Sequence, residues 1–320
     1  MPALTAAPHI PVLCDRVVEI LAPAVTATSH PPVIVDATVG AGGHTKALAE
    51  AFPQARIIGI DRDPEAIALA GSRLEEFGDR ITLVHATFDR IDDVIAARRA
   101  DAILFDLGVS SMQLDQAERG FAYATDAVLD MRMDPTEGES ARDILATAPQ
   151  EEIARILKVH GDEPHALRIA RAIVACRRFH PLQTTGELAD LVRQAIPAPA
   201  RRTGGNPAKR TFQALRIEVN DELDLLTQAL PAAITSLAVG GRIAVLSYHS
   251  GEDRIVKRAL SRAATSTAPP GIPIEKEETK PYLRLLTRGG ERPSPEEEAS
   301  NPRAASARLR AAEKIREVRP

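Results

Sequence analysis

The chain has 320 residues, 44% of them hydrophobic, with 40 Lys+Arg against 44 Asp+Glu and a formal net charge of −4. That length allows one large domain or two units, and the acidic balance excludes a generic polyanion binder, which would need excess Lys and Arg to neutralise phosphates. Aromatic residues make up 3% and Trp is absent, so the core must be aliphatic, as suits buried parallel strands between helices. Cys14 and Cys176 form neither a disulfide framework nor a metal-ligand spacing. No signal segment or membrane-length apolar run appears, so a soluble, reduced, cytoplasmic protein without a metal is expected.

In chain order, Val33–Asp36 reads as a strand and His44–Phe52 as a helix beyond a glycine loop. Arg56–Asp61 is a second strand, followed by Asp63 as N-cap and Pro64 opening a helix through Phe77. Ile81–His85 and Ala102–Asp106 are the third and fourth strands, and the alternation predicts βαβ units with a parallel sheet. From about Val109 to Arg210 no buried strand is expected, only helices over Gln150–Val159, Pro164–Arg178 and Gly186–Ile196, the last led by the capping pair Thr184 and Glu187. Pro197–Lys209 reads as a loop, Thr211–Leu230 as one long amphipathic helix and Arg242–Ser247 as a fifth strand. Ser261–Pro281 reads as a flexible loop, Tyr282–Arg288 as a strand and Glu291–Pro302 as flexible, before a last element with a basic tail. The expected organisation is α/β: residues 1–110 and 211–320 form one domain, interrupted by a helical insertion at 111–210.

Asp36 to Thr45 sits where the first strand turns into the first helix, and its glycines allow a tight turn and close approach of a ligand. Asp36, Asp61 and Asp106 end three strands, which places acids along the carboxyl edge of an open sheet. A dinucleotide loop would have a third glycine where Thr45 stands, and a pyrophosphate is disfavoured by the acids. S-adenosylmethionine, cationic at its amine and sulfonium, fits them. Phe88, after the third strand, could pack on adenine or simply join the core.

Several blocks carry a resemblance: His9-Ile10-Pro11-Val12-Leu13, Gly42-Gly43-His44-Thr45, Gly59 to Pro64, Asp106 to Ser111, Glu118-Arg119-Gly120-Phe121, Leu129 to Asp134, Arg210 to Arg216 and Tyr248-His249-Ser250. Together they resemble the bacterial 16S rRNA cytosine-N4 methyltransferases of the RsmH/MraW family, over a stretch reaching about Arg258. The resemblance implies a class I (Rossmann-like) S-adenosylmethionine-dependent sheet with an inserted all-helical substrate domain. It also implies methylation of the N4 amine of one decoding-centre cytosine in 16S rRNA, with the small ribosomal subunit as partner. Cofactor contacts carry over to Gly42, Gly43, His44, Asp61, Phe88, Asp106 and Gln113. Tyr248 and Gly251 depart from the motif, which often has Phe and Leu there.

Cytosine N4 is a poor nucleophile because its lone pair is conjugated into the ring, so the chemistry needs alignment and acceptors for its N–H bonds. The strand-four loop, with Asp106 and Ser110, is one candidate source of acceptors, and His249 after strand five is another. Asp106 could equally only hold cofactor, and His249 could equally meet a phosphate or the sheet edge. Asp130 and Asp134 could order the insertion or meet RNA. Arg201, Arg202, Lys209 and Arg210 cluster as candidate RNA contacts, and Arg168, Arg171 and Arg178 share one face of their helix. A methyltransferase on another amine, a catalytically silent RNA-binding assembly factor and a homodimer are left open by the residues alone.

Overall fold

The computed structural model describes residues 11–96, 98–123, 125–198, 206–269 and 276–317. The chain divides into two units, one formed by Met1–Gly108 with Leu223–Pro320 and the other by Val109–Glu222. The first unit opens with α1 (Cys14–Thr26), β1 (Val33–Asp36), α2 (Gly43–Ala51), β2 (Arg56–Asp61), α3 (Pro64–Arg73), β3 (Ile81–His85), α4 (Ile91–Ile95) and β4 (Ala100–Asp106). The second unit contributes α5 (Ser111–Asp115), α6 (Ala141–Thr147), α7 (Gln150–Gly161), α8 (Ala166–Arg177), α9 (Thr185–Ala195) and α10 (Lys209–Val219). The first then resumes with α11 (Glu222–Ser236), β5 (Leu237–Ser247), α12 (Ser250–Ala263), β6 (Leu283–Leu285), α13 (Pro295–Ser300) and β7 (Arg308–Lys314).

The seven strands form one sheet in the order β3-β2-β1-β4-β5-β7-β6. The neighbours among β1 to β5 pair in parallel, while β7 runs antiparallel to both β5 and β6. Both faces of the central strands are covered. Val35, Ile103, Phe105, Ile243 and Val245 belong to one core cluster, and Ile34, Ala102, Leu104, Ala244 and Leu246 to the other. This is the two-residue alternation of a strand buried on both sides, which explains the near-continuous apolar runs. The chain builds outward from β1 to β3 and then returns beside β1 as β4. That reversal opens a crevice at the carboxyl ends of β1 and β4, where open α/β sheets bind ligands. The architecture is that of the class I methyltransferase fold.

The second unit has its own apolar core, drawn from residues such as Leu129, Ile153, Ile169, Leu188, Phe212 and Leu215. Capping boxes start α5 at Ser110 with Gln113, α6 at Ser140 with Asp143, and α9 at Thr184 with Glu187. Among the described residues its β structure is limited to one isolated bridge, Val128 with Thr184.

Four expectations change. The helix read over Thr211–Leu230 is two helices, broken at Asn220 and Asp221, where Asp221 adopts a left-handed φ of 50°. Its first half, α10, belongs to the helical unit and not to the resumed sheet domain. A Cβ on Gly161 of α7 would lie 2.5 Å from the Arg210 carbonyl oxygen, so glycine permits that close approach. The Ser261–Pro281 stretch continues α12 to Ala263 and carries a 3-10 turn at Glu277–Thr279, with 270–275 outside the described residues. Glu291–Pro302 is structured too: Glu291 bridges to Leu309, and α13 is capped by Ser294. The last element before the basic tail, readable as strand or helix, is the strand β7. Arg310 pairs with Asp253 at 2.7 Å, and Lys314 is fully buried, donating to the Thr235 and Leu237 carbonyls.

Candidate cofactor and catalytic site

The β1 end and the glycine loop are tied together from below. Asp36 is buried, and its Oδ2 accepts from the Thr45 hydroxyl at 2.6 Å while Oδ1 accepts from the Thr38 N–H at 3.2 Å. Burial pushes the Asp36 carboxyl up, against the Thr45 hydrogen bond. Asp36 therefore supports the loop. Gly42 is the N-cap of α2 with φ 81°, a left-handed conformation that glycine adopts without strain. A Cβ on Gly43 would lie 2.8 Å from Pro11 Cγ, so that position also needs glycine.

Asp61 ends β2 beside this loop. Its Oδ2 accepts from the Gly40 N–H at 2.8 Å and its Oδ1 from the Asp63 N–H at 2.9 Å. Burial pushes its carboxyl up to about 6, against the opposing pull of those two donors. An ionised carboxylate has about four lone-pair sites, so acceptor capacity remains for two hydroxyls.

After β3, Phe88 is half-buried and meets Phe105 edge-on, with ring centroids 5.9 Å apart at 78°. Next to it, Asp89 Oδ1 is buried with no hydrogen-bond partner among the described residues. Such an acceptor is costly unless a donor arrives. Nothing in the residue pattern singled out Asp89, because a carboxylate in a polar turn normally meets water.

Asp106, at the end of β4, is held by two side chains. Its Oδ1 accepts from the Tyr248 hydroxyl at 2.6 Å, and its Oδ2 lies 3.3 Å from His44 Nδ1. The other His44 nitrogen, Nε2, is 3.0 Å from the Val12 carbonyl oxygen. Both ring nitrogens face acceptors, an arrangement that favours the doubly protonated ring. Burial opposes that charge, but the Asp106 hydrogen bond and charge outweigh it and raise the His44 value. His44, expected as a cofactor contact, is buried and both of its polar atoms are spent within the protein. Its visible work is on Asp106. The motif difference at Tyr248 supplies a hydroxyl, which is an Asp106 partner.

His249 is the N-cap of α12. Its Nδ1 accepts from the Gly251 N–H at 3.2 Å, and Glu252 Oε2 accepts from the His249 N–H at 3.2 Å, closing a capping box. A Cβ at Gly251 would lie 3.0 Å from the His249 ring. Glycine there leaves room for the ring to fold over the first turn.

Ser110 and Gln113 lie in the helical unit. Ser110 Oγ accepts from the Gln113 N–H, and Gln113 Oε1 accepts from the Ser110 N–H at 3.0 Å. Lys209 and Arg210 are exposed at the start of α10, with Arg210 donating to the Asp162 carbonyl at 3.2 Å. Arg201 and Arg202 lie outside the described residues. Asp130 pairs with Arg132 at 2.8 Å, and Asp134 accepts from the Thr136 N–H and hydroxyl, so both order their own turn. No described helix is long and apolar enough to cross a membrane.

A sheet that is parallel through β1 to β5, reverses beside β1 and carries the antiparallel β7 between β5 and β6, with a glycine loop and carboxylates at its strand ends, is that of a class I methyltransferase. The chain belongs to the MraW methylase family, whose model matches residues 6–315. It is 56% identical over 312 residues to a protein of Streptomyces avermitilis named ribosomal RNA small subunit methyltransferase H, covering 97% of this chain and 98% of that one. Proteins of the same name from Thermobifida fusca and Beutenbergia cavernae are 57% and 58% identical, each covering 98% of this chain and 95% of theirs.

Proposed function

We propose that this chain transfers a methyl group from S-adenosylmethionine to the exocyclic N4 amine of a decoding-centre cytosine in 16S rRNA. Likeness over nearly the full length of both chains to relatives named ribosomal RNA small subunit methyltransferase H supports small-subunit rRNA as the substrate, and the resemblance of the Asp106–Ser111 and Arg210–Arg216 blocks supports cytosine N4 as the target. The donor set of the first unit is compatible with the cofactor. Asp61 offers free lone pairs for a ribose, Phe88 an aromatic face, and Asp89 Oδ1 an unsatisfied acceptor for an adenine amine. Gly42 and Gly43 would bring backbone close to the ligand. The acids favour a cation over a phosphate.

The cofactor, when bound, supplies an electrophilic methyl group on a sulfonium. The protein must do the rest. Cytosine N4 gains nucleophilicity when its N–H bonds are drawn toward acceptors and the nitrogen can pyramidalise. Asp106 is suited to this because its carboxylate is pinned by Tyr248 and His44, so little reorganisation is needed. The Tyr248 and His44 contacts also offset the cost of placing a carboxylate at a half-buried strand end.

The test is nucleoside mass spectrometry of small-subunit RNA, incubated with S-adenosylmethionine and either this protein or its Asp106→Ala variant. N4-methylcytidine is expected with the native chain, with a loss on the order of 100-fold or more in the variant. Methylation of another base or position would refute the substrate, and full turnover by the variant would remove Asp106 from the chemistry.

A further inference from the structure

Although the chain is acidic overall, residues 164–186 contain four arginines and no Asp or Glu. Arg177 is used internally, donating to the Leu145 and Ala148 carbonyls that α6 leaves open. Arg168, Arg171 and Arg178 are exposed, with no hydrogen-bond or ion-pair partner among the described residues. They fall on one side of α8, opposite the buried Ile169 and Ile173, along a strip of about 15 Å at 1.5 Å per residue.

Phe179 stands at the end of this strip and is 92% exposed. The other six phenylalanines are buried or half-buried, and among the described residues the next most exposed large hydrophobic is Val159 at 57%. The Phe179 backbone is anchored. Its N–H and that of His180 both donate to the Cys176 carbonyl, His180 pairs with Glu187, and Leu182 is buried in the unit's core. An anchored backbone thus presents an aromatic ring to water beside three unpaired guanidinium groups. Single-stranded nucleic acid is recognised by this combination, cations for the phosphates and an aromatic face for a base.

We infer that Phe179 is a stacking platform for an unpaired base of the RNA substrate, with Arg168, Arg171 and Arg178 neutralising the phosphates around it. The inference rests on the RNA reading above and adds to it a residue and a mode of contact. An acidic protein partner would use the arginines as well, but it would not distinguish an RNA with bases from one without.

The experiment measures binding of the full chain to a single-stranded RNA oligomer and to an abasic oligomer of the same length. Phe179→Ala is expected to weaken binding of the base-bearing oligomer by about 5- to 50-fold and to leave the abasic one unchanged, with Phe179→Trp restoring affinity. Arg171→Ala is expected to weaken both and to lower the log–log salt slope by about 0.7. If Phe179→Ala leaves both affinities unchanged, or lowers both equally, while the native chain binds normally, the stacking role is overturned and the RNA reading stands. A native chain that binds neither oligomer overturns both.

Discussion

Asp61, which we propose meets the ribose of the cofactor, ends β2 beside the glycine loop. Burial lifts its carboxyl to about 6, more than the Gly40 and Asp63 N–H donors can offset. A folded value above the unfolded one means that the neutral form is favoured by folding. This contribution to stability is fully present below the usual value of 3.8 and is lost as pH rises through about 6. At neutral pH the free protein therefore holds an ionised carboxylate at some cost, and a ligand donating hydroxyls to it relieves that cost. S-adenosylmethionine affinity is accordingly expected to fall as pH drops below about 6, approaching tenfold per unit. Asp61→Asn should bind weakly at every pH. Calorimetric titration between pH 5 and 8 checks this, and a flat profile in the native chain would contradict it.

At the level of elements, α12 gives His249 a structural task through Nδ1, while its buried Nε2, 3.3 Å from Glu252 Oε1, makes no hydrogen bond among the described residues. His249 Nδ1 caps the helix, and the absence of a side chain at Gly251 is what admits the ring. The departure from leucine at Gly251 thus has a local physical explanation. We expect His249→Ala to destabilise the protein by about 1 kcal/mol, the usual worth of an N-cap. His249→Asn should keep both the cap and methyl transfer. Urea unfolding paired with turnover separates the roles. A His249→Asn protein of native stability that had lost turnover would show that the imidazole takes part in the reaction.

Over the whole molecule, the sheet depends on chain distant in sequence. β7 lies between β5 and β6, and Lys314 at its end reaches the carbonyls at the junction of α11 and β5. Removing β7 would leave β5, a long apolar strand, as an open edge able to pair with other chains. A chain ending at Ser306 is expected to aggregate, and size-exclusion chromatography reads the outcome. A monodisperse truncated protein with native circular dichroism would show that β7 is dispensable.

Local signals in the residues were enough for β1 to β5, for Asp63 as cap of α3 and for the Thr184–Glu187 box. Each is written in a run of a few residues, by apolar period or by cap chemistry. The glycine loop and the acids ending β1, β2 and β4 were legible for the same reason, since a strand end is a local feature. The break at Asn220 was not, because residues on both sides keep helical periodicity and only packing selects Asp221 for a left-handed turn. Nor was the grip of Tyr248 on Asp106 from 142 positions away. The exposure of Phe179 was equally hidden, since an aromatic next to a helix end reads as core. Side chains that meet across the sheet, or fail to meet anything, are decided by tertiary packing, and no periodicity records them.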